Sequence, residues 1–419
     1  MKQIILIAFL LISTAAYATD PVIYYMDAVS GNDNNAGTSP ETAWETFAKV
    51  NRTALNPDDH VLLRRGQRFG SNQRDTCLVV SSSGTAGHPI VYGAWGTGDM
   101  PVDDASRQIT GWESQGGNIY KRTKTVTDST YAIWFGGVLG TRVMTVDALD
   151  VNREWIHWPD STKVYLTTAA DTASVWKSKT NAISSTSKNY ITIQNLKITH
   201  GASNNNTALS VNIKINTSTN VTITCCVIDS SYGYAIITSG IFSNIRSNIF
   251  YANNRNTNAQ ADSGYFYNNT VIGGTEGFTQ SNVKNWAVKN NIFYSQTSEF
   301  IKFSQATPYL ASNNIFYATS YTNKWVRKTT YFSTLASWQD STGQEANSLT
   351  GDPLFVNAAA GDYRLTSNSP AINRGANLGL LQDLTGRSII GTPDIGAYET
   401  IPEINSWLNS FYYEKKRSW

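Results

Sequence analysis

Asn248-Ile249-Phe250, Asn269-Thr270-Val271, Asn291-Ile292-Phe293 and Asn314-Ile315-Phe316 are four copies of one phrase. Earlier and looser copies are Leu196-Lys197-Ile198 and Cys226-Val227-Ile228. The apolar anchors Ile198, Ile228, Phe250, Val271, Phe293 and Phe316 are spaced 30, 22, 21, 22 and 23 residues apart. A period near 22 belongs to stacked supersecondary units. The segments between anchors are rich in Ile, Val, Phe, Tyr and Thr and alternate over short runs, as in Ile191-Thr192-Ile193 and Val221-Thr222-Ile223. That pattern favours strands. One turn of a parallel β-helix, with an asparagine at its corner, accounts for both period and content. Asparagine tolerates the left-handed backbone of a tight corner. Stacked at the strand spacing of about 4.8 Å, successive amides can bond one another. Asn268-Asn269, Asn290-Asn291 and Asn313-Asn314 double the residue.

Outward from this core, the chain divides into five parts. Residues 1–18 read as a signal peptide: Lys2, an apolar run from Ile4 to Ile12, and Ala16-Tyr17-Ala18 as the cleavage site. Residues 19–104 read as an N-terminal cap and first coils. Within them, Ala43 to Val50 predicts a short helix capped by Thr42. Residues 105–180 break the rhythm and carry Trp112, Trp134, Trp155, Trp158 and Trp176. They read as a small antiparallel β insert, with a hairpin from Trp155 to Leu166. Residues 181–400 hold the coils and a closing segment, with a loop excursion at 320–350. Residues 401–419 form a tail. The fold class is therefore all-β: a right-handed parallel β-helix with a small antiparallel insert.

Charged residues are 15% of the chain, and the formal net charge of +2 falls to +1 without Lys2. This gives no electrostatic case for nucleic acid. Beyond the signal no run is long enough to span a bilayer. Cys77, Cys225 and Cys226 make no disulfide framework.

Both ends of the chain resemble a known family. Tyr25-Met26-Asp27, Gly31-Asn32-Asp33, Gly37, Pro40 and Ala43-Trp44 form the opening. Gly84, Gly87-His88-Pro89-Ile90 and Gly93-Ala94-Trp95-Gly96 continue it. Trp338, Asp352-Pro353, Asp362-Tyr363-Arg364-Leu365, Ser369-Pro370 and Asp394-Ile395-Gly396-Ala397-Tyr398-Glu399 form the close. Together they resemble secreted parallel β-helix proteins of the pectate-lyase-like superfamily. The resemblance implies an extracellular or periplasmic protein. It also implies an acidic polysaccharide as substrate or ligand, with no nucleic acid and no membrane insertion. The chain is expected to act as a monomer. The superfamily includes polysaccharide lyases, glycosidases, epimerases and members with no known reaction.

Loops on a rigid scaffold carry function. Counting back from the anchors puts Thr257, Thr279 and Lys302 in one column, with Lys214 in its extension. Glu276 and Glu299 each lie 17 residues before an anchor, so they occupy one place on successive coils. Two carboxylates so placed call for a shared cation, such as Ca²⁺. They equally suit the acid and nucleophile of a retaining glycosidase. As plain surface residues they would splay into water. Arg255 and Asp262 flank the longest central loop, and Asp262 joins the glutamates as an expected metal ligand. β-Elimination on a uronate needs a base and a neutralising cation. Resembling lyases use Lys or Arg, which assigns the catalytic roles to Lys302 and Arg255. The aromatics of the insert read first as the core of a small β unit, with one or two as exposed platforms for sugar rings; His200, Trp155 and Trp158 are the expected substrate-binding residues. Two features run against catalysis. The central coils are poor in acids, and Asp58-Asp59 and Asp103-Asp104 precede the coils. The leading expectation is a lyase; a glycosidase using the paired glutamates and a non-catalytic glycan-binding protein are the alternatives.

Overall fold

The computed structural model describes residues 20–400 except 71–76, 124–129, 159, 169–171, 173–174, 179, 203–209, 261, 282–284, 305–308, 321 and 323. The expected signal peptide and tail lie outside the described residues. Among those described, no helix is long and apolar enough to cross a membrane.

Three nine-stranded sheets run the length of the described chain. In each coil the chain passes from sheet I to sheet II to sheet III and back. The coil of Asn269 is typical: Gly264–Tyr267 in sheet I, Thr270–Ile272 in sheet II, Glu276–Gln280 in sheet III. Successive coils pair parallel and in register, as in Ile198↔Ile228, Ile228↔Phe250 and Val271↔Phe293. All six anchors are wholly buried. The chain is a right-handed parallel β-helix.

The doubled asparagines divide their work. The first of each pair turns the corner: Asn268, Asn290 and Asn313 have φ of 50°, 58° and 54°. The second points inward and bonds upward. Asn248 Nδ2 donates to Asn269 Oδ1, Asn269 Nδ2 to Asn291 Oδ1 and Asn291 Nδ2 to Asn314 Oδ1, each at 3.1 Å. The corner asparagines also grip the closing segment. Asn290 exchanges two 2.8 Å bonds with the backbone of Ala376, and Asn268 Nδ2 reaches Asp394 O at 3.2 Å. Residues 350–400 thus lie along the outer face of sheet II. Tyr363, Leu384 and Ala397 pack there on Ile249, and Ala371 and Ile395 on Ile292 and Ile315.

Several local expectations change. The first helix is Phe47–Val50, capped by Thr46 rather than Thr42. Trp44 is drawn into an extended bridge with Met26, which keeps the preceding residues out of the helix. The excursion at 320–350 contains the helix Leu335–Thr342, stopped by Gly343 at φ 66°. Its one buried side chain, Trp338, lies against Phe303, Tyr309 and Phe332 at the end of the coil interior. The insert comprises a four-stranded and a five-stranded sheet, joined mostly antiparallel. The predicted hairpin pairs Trp155 with Val164. Trp155 is fully buried among Ile133, Phe135, Val164 and Val175, so it is a core residue and not a sugar platform.

The three cysteines are free. Cys226 faces the coil interior, and burial pushes its thiol up to about 12.

Candidate functional site

The edge between sheets II and III gathers most of the predicted residues. Five successive coils leave sheet II through a residue of positive φ: His200, Ser230, Ala252, Gly273 and Ser295. A loop then leads to the first residue of a sheet III strand. Those first residues include Tyr234, Arg255, Glu276 and Glu299. Tyr234 pairs with Arg255, and Glu276 with Glu299. The stretch read as the longest central loop is therefore mostly strand, Arg255–Ala259. Its asparagines disguised it. Asn256, fully buried, is satisfied by donating to Gly273 O and Glu276 O of the next coil at 3.0 and 2.9 Å.

Glu276 is held on three sides. Tyr234 Oη and Thr279 Oγ1 each donate to its Oε2 at 2.9 Å. Arg255 Nε lies 3.5 Å from its Oε1, and the Arg255 guanidinium sits over the Tyr234 ring at 5.3 Å. Burial first, then the Glu276 charge, pushes the Tyr234 phenol above its ordinary range. Glu299 has looser partners. Lys302 Nζ is 3.9 Å from its Oε1. Lys324, nearly buried, donates to Gln296 O at 2.6 Å, and desolvation lowers its pKa while the Glu299 charge opposes that shift. The glutamate side chains remain 12% and 11% exposed. They neither splay into water nor stand as an unscreened pair; Arg255 and Lys302 supply the countercharge.

This arrangement bears on calcium. Asp262 sits beyond the end of the Arg255–Ala259 strand, in the turn to sheet I, across sheet III from the glutamates. Both oxygens of Glu276 already face donors or a cation. Among the described residues, no three His, Cys, Asp or Glu side chains group to hold a metal ion. The donor set does not fit the expected Ca²⁺ site.

The column of Lys302 also needs one correction. Lys302 pairs with Thr279, Thr279 with Asn258, Asn258 with Ile237 and Ile237 with Lys214. Thr257 instead pairs with the buried Phe278, because the shorter interval before Val271 shifts the count by one. Lys302 and Arg255 stand two coils apart, as the spacing predicted.

His200 lies in a second cluster at the seam with the insert. Its Nδ1 is 2.9 Å from Asp104 Oδ1. Ser106 Oγ donates to the same oxygen at 2.7 Å, and Arg68 pairs with Asp104 Oδ2. The Trp134 ring lies against the imidazole, centroids 4.8 Å apart. Burial raises the pKa of Asp104, but the His200 hydrogen bond and the His200 and Arg68 charges outweigh it and hold the carboxyl low. Chain order had set Asp103-Asp104 outside the coils. In fact Val102–Asp104 pairs directly with Lys197–Thr199, because the insert leaves and rejoins between adjacent rungs. Asp103 points inward in line with Ile198, is fully buried, and burial followed by the Asp104 charge raises its pKa well above the carboxylate range. Asp229, another acid of sheet II, is paired with Lys197 at 2.9 Å. Trp158 is half-buried in the insert hairpin with Lys163 over its ring at 5.2 Å, so a cation already occupies one face.

No protein-family profile matches the chain. A stretch of 106 residues is 36% identical to the lacto-N-biosidase of Bifidobacterium longum subsp. longum. That stretch is 24% of this chain and only 6% of the relative. Among solved structures, the lacto-N-biosidase of Eubacterium ramulus aligns over 73% of this chain and 54% of its own, at 15% identity and TM-score 0.44. Pectate lyase Pel9A aligns over 91% of this chain and 97% of its own, at 13% identity and TM-score 0.43.

Proposed function

We propose that the protein is a secreted glycan-active enzyme that hydrolyses a glycosidic bond at the sheet II–III edge, using Glu276 and Glu299. The supporting observation is their pairing on adjacent rungs. Rungs lie about 4.8 Å apart, close to the roughly 5–5.5 Å between carboxyl groups in retaining glycosidases. Glu276, fixed by two hydroxyls and a guanidinium, is the nucleophile. Its oxygen bonds to the anomeric carbon as the bond to the leaving oxygen breaks, and Glu299 gives that oxygen a proton. Water then attacks the anomeric carbon, Glu299 takes the water proton, and Glu276 leaves as carboxylate. The local likeness to a lacto-N-biosidase agrees with a hydrolase.

A second reading is β-elimination on a uronate with Lys302 as base. Arg255, Lys302 and Lys324 give this edge three cations against two glutamates, which suits an anionic sugar. Against it, Arg255 and Lys302 already face carboxylates. The experiment is incubation with neutral and acidic oligosaccharides, reading reducing ends, anomeric configuration and ultraviolet absorbance of unsaturated uronate. New reducing ends with retained configuration and no absorbance support hydrolysis. Absorbance moves the assignment to elimination. Silence on both readouts overturns the catalytic reading.

A further inference from the structure

We infer that the glycan is an extended oligosaccharide, several units long, whose distal end is hydrogen-bonded by His200 at the seam between the coils and the insert. The inference rests on the proposed reading of the Glu276/Glu299 edge and adds a second contact point to it.

His200 and Gly273 are equivalent residues, each leaving sheet II with positive φ, three rungs apart. Three rungs are about 14 Å, and Glu276 follows Gly273 by three residues. No single sugar ring spans that distance, whereas a chain lying along the helix axis does. His200 and the residues that lead to the glutamates stand at the same edge of sheet II.

The imidazole is built to present one nitrogen. A carboxylate only accepts, so Nδ1 carries the proton that it donates to Asp104. The Nε2 of the neutral ring is then an acceptor for a sugar hydroxyl; protonated, it is a donor to a sugar carboxylate. Among the described residues, Nε2 has no hydrogen-bond partner. The ring is otherwise enclosed, with 12% of the side chain exposed, while Asp104 has none exposed. Asp104, Ser106 and Trp134 touch the ring, and Arg68 pairs with the other oxygen of Asp104. A buried carboxylate is costly unless paired and fully bonded, and here its bond to Nδ1 holds the ring and leaves Nε2 free of partners among the described residues.

The test uses the full chain with ladders of two to six galacturonate units and two to six N-acetylglucosamine units. Cleavage is measured on the wild type, and binding by calorimetry on the inactive Glu276→Gln protein. For whichever ladder is bound, affinity and kcat/KM are expected to rise with length up to the chain that reaches His200. His200→Ala is expected to lower the affinity of the long members about tenfold, leaving the shortest unchanged, and His200→Gln to restore part of it. Equal effects at all lengths overturn the inference, as does a flat length profile in the wild type, which needs no variant to fold. Length-dependent binding without turnover upholds His200 and sinks the hydrolase reading. Turnover without length dependence does the reverse. Absence of binding to either ladder overturns both.

Discussion

The inward asparagine column ends on a buried acid: Asn314 Nδ2 donates to Glu345 Oε2 at 2.8 Å. Ser348 Oγ donates to the same oxygen at 2.6 Å, while Glu345 Oε1 has no partner among the described residues. Burial raises the Glu345 pKa to about 7 despite both bonds. A raised acid binds its proton more tightly when folded. Its stabilising effect is therefore present below the unfolded value and lost as pH rises through about 7. We expect the chain to lose about 3 kcal/mol of stability between pH 4.5 and 8 from this group. Glu399, also raised to about 7 by burial and then the Asp394 charge, acts in the same direction. Denaturant midpoints of wild type and Glu345→Gln across that range check this. The glutamine keeps an acceptor toward Asn314 and Ser348, so its curve is expected to be flatter and to lie above wild type at pH 8. Parallel curves would refute the assignment.

Asn269→Ala removes an acceptor from the Asn248 amide and a donor to Ile245 O. Stability is expected to fall by at least about 2 kcal/mol, since buried polar groups lose their partners. Asn290→Ala loses both bonds to Ala376 and is expected to loosen the closing segment first. Hydrogen exchange separates the two: loss of protection throughout the coils for Asn269, and at residues 371–399 for Asn290.

Trp155→Ala is expected to cost about 3–5 kcal/mol, the range for a buried aromatic, through collapse of the insert core. Trp158→Ala, at a half-buried site, is expected to cost under about 1 kcal/mol. Thermal melts of the two variants decide whether the insert tryptophans are core or platform. A silent Trp155→Ala would restore the platform reading.

Glu276→Gln and Glu299→Gln are each expected to lower turnover by at least about 100-fold, with unchanged circular dichroism. Tyr234→Phe and Thr279→Val remove one hydroxyl each from Glu276. About tenfold losses in kcat with little change in KM are expected from such positioning contacts. Full activity in either glutamine variant would rule out that residue's role.

Much of the architecture was legible because it is periodic. Buried anchors and corner asparagines must recur at the coil length, so Ile198 through Phe316 and the Glu276/Glu299 pair could be counted off. The count failed at Thr257, where one coil is a residue shorter. It failed again at Arg255–Ala259, a strand rich in polar residues, where the buried Asn256 bonds backbone carbonyls of the next coil. The doubled asparagines showed a corner but not its two jobs, since the closing segment lies more than 80 residues away from Asn290.

By itself the sequence determined the coil period, the inward anchors and the rungs on which Arg255, Glu276, Glu299 and Lys302 sit. These depend on local pattern, and stacking repeats them. The tertiary structure alone decided what each charge meets. Asp104 reaches His200 across 96 residues because the insert leaves and rejoins the helix between adjacent rungs. Arg255 became the countercharge of Glu276 because side chains on stacked rungs lie within a few ångströms of one another. Such partnerships follow from which rungs are neighbours, and a local pattern carries no record of that.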